Sequence, residues 1–199
     1  MEIGIIGAGN IGSTLGRKWA AAGHAVKFGV RNPDDAKYDK LHDIGAVVSI
    51  GAAAGFSEVV VLALPGAAIP AFAAEHGQLL AGKILIDATN NMRAAEMNSL
   101  AILAEKAPEA QLVRAFNMLG WENFAEPEIA GTQIDLFFCG APSARHTAER
   151  LISDMGLRPV YIGDIDTAAT LDSMTRLWFA LAIGQGYGRR TAFKMLSAE

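Results

Sequence analysis

The stretch Ile3-Gly4-Ile5-Ile6-Gly7-Ala8-Gly9-Asn10-Ile11-Gly12 sets a β-branched apolar run directly against a G-x-G-x-x-G turn. Ser13 to Ala22 continues it as an amphipathic helix, and after Gly23-His24 a second run of strand character spans Ala25 to Val30. A glycine-spaced turn alone is common. The strand–turn–helix–strand order around this one is what a dinucleotide-binding βαβ unit requires. In such a unit Gly7 permits the tight turn, Gly9 lets the backbone approach a pyrophosphate, and Gly12 lets helix and strand pack closely. The helix start at Asn10 and Ile11 offers amides and the positive end of a dipole. The competing reading is a glycine-rich turn that binds nothing.

Outward from this unit, short β-branched runs alternate with helical patterns. Strands are predicted near Glu2–Ile6, Ala25–Val30, Ala46–Val48, Val59–Leu64, Lys83–Asp87, Gln111–Phe116, Asp135–Cys139 and Pro159–Ile162. Helices are predicted over Asn10–Ala22, Pro33–Leu41, Gly66–Glu75, Met97–Lys106, Ala144–Met155 and from Thr167 into the 180s. Val59 to Leu64 and Ile84 to Ile86 are apolar throughout, as strands covered on both faces are. The expected fold class is therefore α/β: an NAD(P)-binding Rossmann fold, a doubly wound parallel sheet with a short C-terminal extension. Residues 1–120 are expected to form the NADP-binding core and residues 121–199 an extension packed on the same unit.

Composition excludes several classes. The chain has 199 residues, 51% of them hydrophobic and 19% charged, far from the composition of disordered chains. A net charge of -4 and a pI near 5.6 leave no basic footprint for nucleic acid. Pro65, Gly66 and Pro70 interrupt the longest apolar stretch, Val59 to Ala74, so no membrane span is expected. The start Met1-Glu2-Ile3-Gly4 lacks a secretory pattern, which points to a cytoplasmic protein. The single cysteine, Cys139, is expected to be a buried, inert thiol.

The end of the second strand indicates which dinucleotide fits. An Asp or Glu that would bind the ribose 2′-hydroxyl of NAD is missing there. Phe28-Gly29-Val30-Arg31-Asn32-Pro33 instead puts a guanidinium in that place, with Asn32 and Lys37 close behind. Arg31 can take a 2′-phosphate bidentately, so NADP(H) is expected over NAD(H). The plain alternative for Arg31 is a solvated surface side chain. Three further strand ends meet the same edge: Leu62-Ala63-Leu64-Pro65, Ile86-Asp87-Ala88-Thr89-Asn90-Asn91 and Val113-Arg114-Ala115-Phe116-Asn117. Leu64 and Pro65 are expected to wall the nicotinamide ribose. Thr89, Asn90 and Asn117 would offer neutral hydrogen-bonding groups to the nicotinamide amide or to a second substrate. Asp87 reads as a loop-fixing carboxylate rather than a catalytic acid.

No catalytic residue is assigned. His24, His42, His76 and His146 form no H-E-x-x-H, one cysteine makes no metal cluster, and there is no G-x-S-x-G elbow. Hydride transfer between two redox rings suits such a site, because juxtaposition of the reacting atoms supplies most of what it needs.

The ordered set Gly4 to Gly12, Gly29 to Asn32, Leu62 to Pro65, Asp87 to Asn90, Ala115-Phe116-Asn117 and Leu171 to Trp178 resembles the NADPH-dependent oxidoreductases of the deazaflavin coenzyme F-420 type. That family includes the cytosolic domains of transmembrane ferric reductases. The resemblance implies hydride exchange between NADP(H) and a small-molecule redox acceptor: coenzyme F-420, or a flavin such as FMN or FAD. The nicotinamide face would lie near Leu64, Pro65 and Asn117, and the acceptor pocket among Trp121, Met174, Leu177 and Trp178. The sequence departs from the family pattern at Val30, where Ser or Thr is usual, and at Asn91, where Pro is usual. The alternatives are an NADPH-dependent small carbonyl or imine reductase, and a non-enzymatic NADPH-binding sensor. Leu177 to Ile183 is apolar on more than one helical face, so a homodimer is also expected.

Overall fold

The computed structural model describes residues 1–198. Its strands are β1 (Glu2–Ile6), β2 (Ala25–Val30), β3 (Ala46–Ser49), β4 (Val59–Leu62), β5 (Ile84–Asp87), β6 (Gln111–Arg114), β7 (Glu128–Ile129), β8 (Thr132–Gln133), β9 (Asp135–Gly140) and β10 (Arg158–Tyr161). The helices are α1 (Asn10–Ala21), α2 (Ile50–Phe56), α3 (Ile69–His76), α4 (Leu100–Lys106), α5 (Trp121–Ala125), α6 (Arg145–Ser153) and α7 (Ala168–Phe179), with a π-helical turn, Ala180–Gly184, continuing α7. Eight strands form one sheet in the order β10-β9-β6-β5-β4-β1-β2-β3. The order reverses between β1 and β4, and ligands of open α/β sheets bind outside the carboxyl ends of the strands at such a reversal.

The sheet holds its shape because both faces are covered. Ile3, Ile5, Val59, Val61 and Ile86 point to the face packed by α1 and α6. Ile6, Val60, Leu62 and Leu85 point to the face packed by α2, α3 and α4. Trp19, fully buried in α1, donates its indole N–H to the carbonyl of Leu151 in α6 at 2.9 Å and so locks the two helices together. An amphipathic stripe on α7, Ala168, Leu171, Asp172, Thr175 and Trp178, is buried, while Leu177 and Ile183 stay about half exposed.

Several expectations need correction. The sheet is mostly parallel, as expected, with one exception: β9 runs antiparallel to β6, with Arg114 opposite Cys139, while β10 pairs parallel with β9. A parallel return needs a crossover that carries the chain back along the whole strand. Here the connection is the five-residue α5 and the β7–β8 hairpin, so the chain re-enters from the edge it left. Strand β6 ends at Arg114 rather than Phe116, because Phe116 adopts φ 61°, outside the β region. Strand β4 ends at Leu62, two residues early. Only Ala36–Leu41 of Pro33–Leu41 is helical, as a 3-10 turn, and α4 begins at Leu100 rather than Met97. Helices α2 and α5 were not anticipated. The last residue of the expected extension, residue 199, lies outside the described residues. No helix among the described residues is long and apolar enough to cross a membrane.

Candidate dinucleotide site

The glycine turn joins β1 to α1 at the order reversal. Gly7 has φ 103°, which L side chains rarely adopt, and a Cβ there would stand 2.5 Å from the carbonyl oxygen of Ala63. Gly12 is buried where a Cβ would collide with the carbonyl of Gly7, so it sets the close approach of α1 to the turn. Gly9 is the opposite case: a Cβ there would meet nothing within 4 Å. That open space lies before a helix start with no side-chain cap. Where Gly9 borders the cleft, the first amides of α1 therefore have no side-chain acceptor among the described residues, the arrangement that receives a phosphate.

A cleft of about 500 Å³ runs along this edge. It brings together seven of the predicted site residues: Gly7, Gly9, Arg31, Asn32, Lys37, Leu64 and Pro65. Arg31 is exposed just past β2 and has no ion pair or hydrogen bond among the described residues. Lys37 pairs with Asp35 at 2.7 Å, and this contact lowers the Asp35 pKa and raises that of Lys37. The opposite wall was not anticipated and comes mainly from α3 and the turn before it: Ala68, Ala71, Phe72, Glu75 and His76. Their i, i+3, i+4, i+7 spacing was the available signal, since it places them on one helical face beside the β4 edge.

Asn10, Ile11 and Gly12 lie at the start of α1 but do not line the cleft. Thr89, Asn90 and Asn117 lie elsewhere on the edge, in a buried network around Arg114. The Thr89 hydroxyl donates to Asp87 at 2.7 Å. The Asn90 amide donates to the Asn117 carbonyl at 2.7 Å, and its own Oδ1 accepts from Arg114 at 2.9 Å. The Asn117 amide donates to Thr175 Oγ1 at 2.8 Å, and Asn117 Oδ1 is buried without a hydrogen-bond partner among the described residues. Arg114 also reaches Asp172 at 2.8 Å and Asp87 at 3.2 Å. Asp87 further accepts the backbone N–H groups of Thr89 and Ser99, and so fixes the loop after β5.

The four apolar residues placed around an acceptor do not form one pocket. Trp178 is buried and donates its indole N–H to the Thr191 carbonyl at 2.7 Å, whereas Leu177 faces outward. A second cavity of about 530 Å³ lies between α4 and α7, lined by Leu100, Ala101, Ala104, Leu112, Ala168 and Asp172 among others. Cys139 is buried, and burial pushes its thiol up to about 11. No cluster of His, Cys, Asp or Glu among the described residues could hold a metal ion.

Fold and cleft together define the NAD(P)-binding Rossmann class, in the form found in NADP-dependent oxidoreductases. Within it, residues 2–91 match the family described as NADP oxidoreductase, coenzyme F420-dependent. The chain is 26% identical over 185 residues to the metalloreductase STEAP3 of Rattus norvegicus, an alignment covering 87% of this chain and 36% of that protein. It is 30% identical over 125 residues to an NAD(P)+ glycerol-3-phosphate dehydrogenase of Pseudomonas entomophila, covering 55% and 37%. The chain thus spans little more than a third of these curated relatives. Among solved structures, a candidate F420-dependent NADP-reductase of Arthrobacter superposes with a TM-score of 0.86 at 25% identity, covering 99% of this chain and 100% of that one. A reductive aminase of Aspergillus terreus shares the fold, with a TM-score of 0.70 at 21% identity, over 93% and 62%.

Proposed function

We propose that this protein binds NADP(H) and exchanges a hydride with a deazaflavin of the coenzyme F-420 type or with a flavin. The observation that carries the reading is one cleft that holds both the open Gly9 turn and the unpaired Arg31. The first accepts a pyrophosphate and the second a 2′-phosphate. The residues fit the cofactor by shape and by charge, since the cleft has room where the diphosphate must come and an unsatisfied guanidinium where NADP differs from NAD. When bound, the nicotinamide supplies the hydride.

The chain's own task is placement. Arg31, with Asn32 and Lys37, anchors the adenosine end, and the first turn of α1 neutralises the diphosphate. Leu64 and Pro65 keep the wall beside the nicotinamide ribose apolar. The buried network of Thr89, Asn90 and Asn117 keeps the β5 and β6 ends in place around the reacting ring. Support for the deazaflavin acceptor comes from the family matched by residues 2–91 and from the full-length superposition on the Arthrobacter structure. The half-exposed stripe of Leu177 and Ile183 would serve self-association.

The test is a titration of NADPH and NADH side by side, read by tryptophan fluorescence, followed by addition of flavin or deazaflavin. Preferential NADPH binding and faster NADPH oxidation with the second ring support the reading. Tight binding without turnover would favour a sensor, and binding of neither dinucleotide would overturn the proposal.

A further inference from the structure

The adenosine end of the cleft has two walls of opposite charge. Arg31 and Lys37 stand on the β2 side, whereas Glu75 and His76 stand at the end of α3 on the other. Glu75 is 77% exposed and His76 13%, with His76 Nε2 3.6 Å from Glu75 Oε1, too far for a hydrogen bond. Neither side chain makes a hydrogen bond to any other group among the described residues. The imidazole is not free to swing, because its ring leans on Phe72 with centroids 5.4 Å apart. Gly51 lies beside it, where a Cβ would be in ordinary van der Waals contact, 3.9 Å from the imidazole Nδ1. A held imidazole and an adjacent carboxylate, within ion-pair range of each other when the ring carries a charge, thus face the cleft with no hydrogen bond to any other group among the described residues.

We propose that Glu75 and His76 read the edge of the adenine base, so that the site is specific for a 6-aminopurine dinucleotide. The proposal rests on the dinucleotide reading above. On adenine the exocyclic amino group donates and the adjacent ring nitrogen N1 accepts. Glu75 can only accept when ionised, and the imidazole can donate, so the pair matches that edge group for group. The charge separation adds orientation: the cationic wall draws the 2′-phosphate and the anionic wall draws the amino group, which lie on opposite sides of the ribose. Hypoxanthine inverts both base groups, presenting a 6-oxo acceptor to Glu75 and an N1–H donor to the imidazole.

The experiment compares the affinities of NADPH, its hypoxanthine analogue and NADH for the wild type and for Glu75→Gln. The wild type should prefer NADPH over the hypoxanthine analogue by about tenfold, the discrimination expected of the inverted contact at the charged Glu75, since the imidazole can accept from N1–H in its other tautomer. In Glu75→Gln the side-chain amide can donate to the 6-oxo group, so that preference should fall to within about twofold. The NADPH to NADH ratio should not move, because Arg31 is untouched. Equal wild-type affinity for the two bases, or an unchanged base preference in Glu75→Gln, would overturn the inference while leaving NADPH binding intact. Binding of no dinucleotide at all would remove both this inference and the function it rests on.

Discussion

Two arginines stand at the carboxyl edge of the sheet, Arg31 just past β2 and Arg114 at the last position of β6, and their surroundings are opposite. Arg114 is fully buried and its donors are taken up: Nε and Nη2 by Asp172, Nη1 by the carbonyls of Asp87 and Thr89, and Nη2 again by Asn90. Arg31 is exposed and takes no protein partner among the described residues. Burying a guanidinium is tolerable only when its donors are satisfied, so Arg114 has no capacity left for a ligand and acts as a clamp on the β5, β6 and α7 ends. Arg31 keeps its capacity because its donors are exposed and bound to no protein group among the described residues, so a phosphate can take them. Saturation, more than position along the edge, separates a structural arginine from one that can bind.

The sharpest way to break the comparison is at the turn that Arg31 serves. Gly9→Val projects into open cleft rather than into protein, so the variant should fold normally and lose measurable binding of NADPH and NADH alike. Retained binding in calorimetry would remove the phosphate role of this turn. Arg114→Met should leave Asp87 and Asp172 as uncompensated buried carboxylates, destabilising the fold by about 3–5 kcal/mol in urea unfolding. A loss below about 1 kcal/mol would mean the clamp is not what holds this edge.

Arg31→Asp should change stability by no more than about 0.5 kcal/mol and weaken NADPH by about ten- to a hundredfold, with little effect on NADH. Equal losses for the two dinucleotides would show that Arg31 does not read the 2′-phosphate. The smallest effect is expected at Asp135, far from the cleft. Burial pushes its pKa up, but hydrogen bonds from Arg158, Lys194 and the Met195 N–H outweigh burial and bring it below the ordinary 3.8. The folded protein therefore holds this carboxyl ionised to lower pH than the unfolded chain does. Its contribution is complete above about pH 4 and is lost as pH falls through the folded value. With Arg158 more than a third exposed, Asp135→Asn should cost about 1 kcal/mol at neutral pH and flatten the acid limb of stability.

Much of the cofactor half was legible because its signals are local. The glycine spacing, the strand before it and the Arg31 that stands in place of a carboxylate all fall within the first 31 residues. Helix α2 was not legible, because Ile50-Gly51-Ala52-Ala53-Ala54-Gly55-Phe56 has too few large apolar residues to show a period. What makes it helical is packing of Ala53 and Ala54 under the sheet, together with the Ser49 side chain that accepts from the Ala52 N–H. The far wall of the cleft is not legible for a related reason: Phe72, Glu75 and His76 have the pattern of an ordinary surface helix, and only the fold sets α3 beside the β4 edge.

By itself, then, the amino-acid order determined the βαβ unit, the run of central strands and the dinucleotide preference expected of the β2 end. Each depends on residues within a few positions of one another, where backbone sterics and side-chain period act directly. Only the tertiary structure decided that β9 enters antiparallel, that Thr89, Asn90 and Asn117 are drawn into a buried network, and that Glu75 and His76 face Arg31 across the cleft. Those outcomes join residues as distant as Arg114 and Asp172, 58 positions apart. Whether a polar side chain binds a ligand or a neighbour depends on which partners the fold leaves beside it, and sequence spacing carries no record of that.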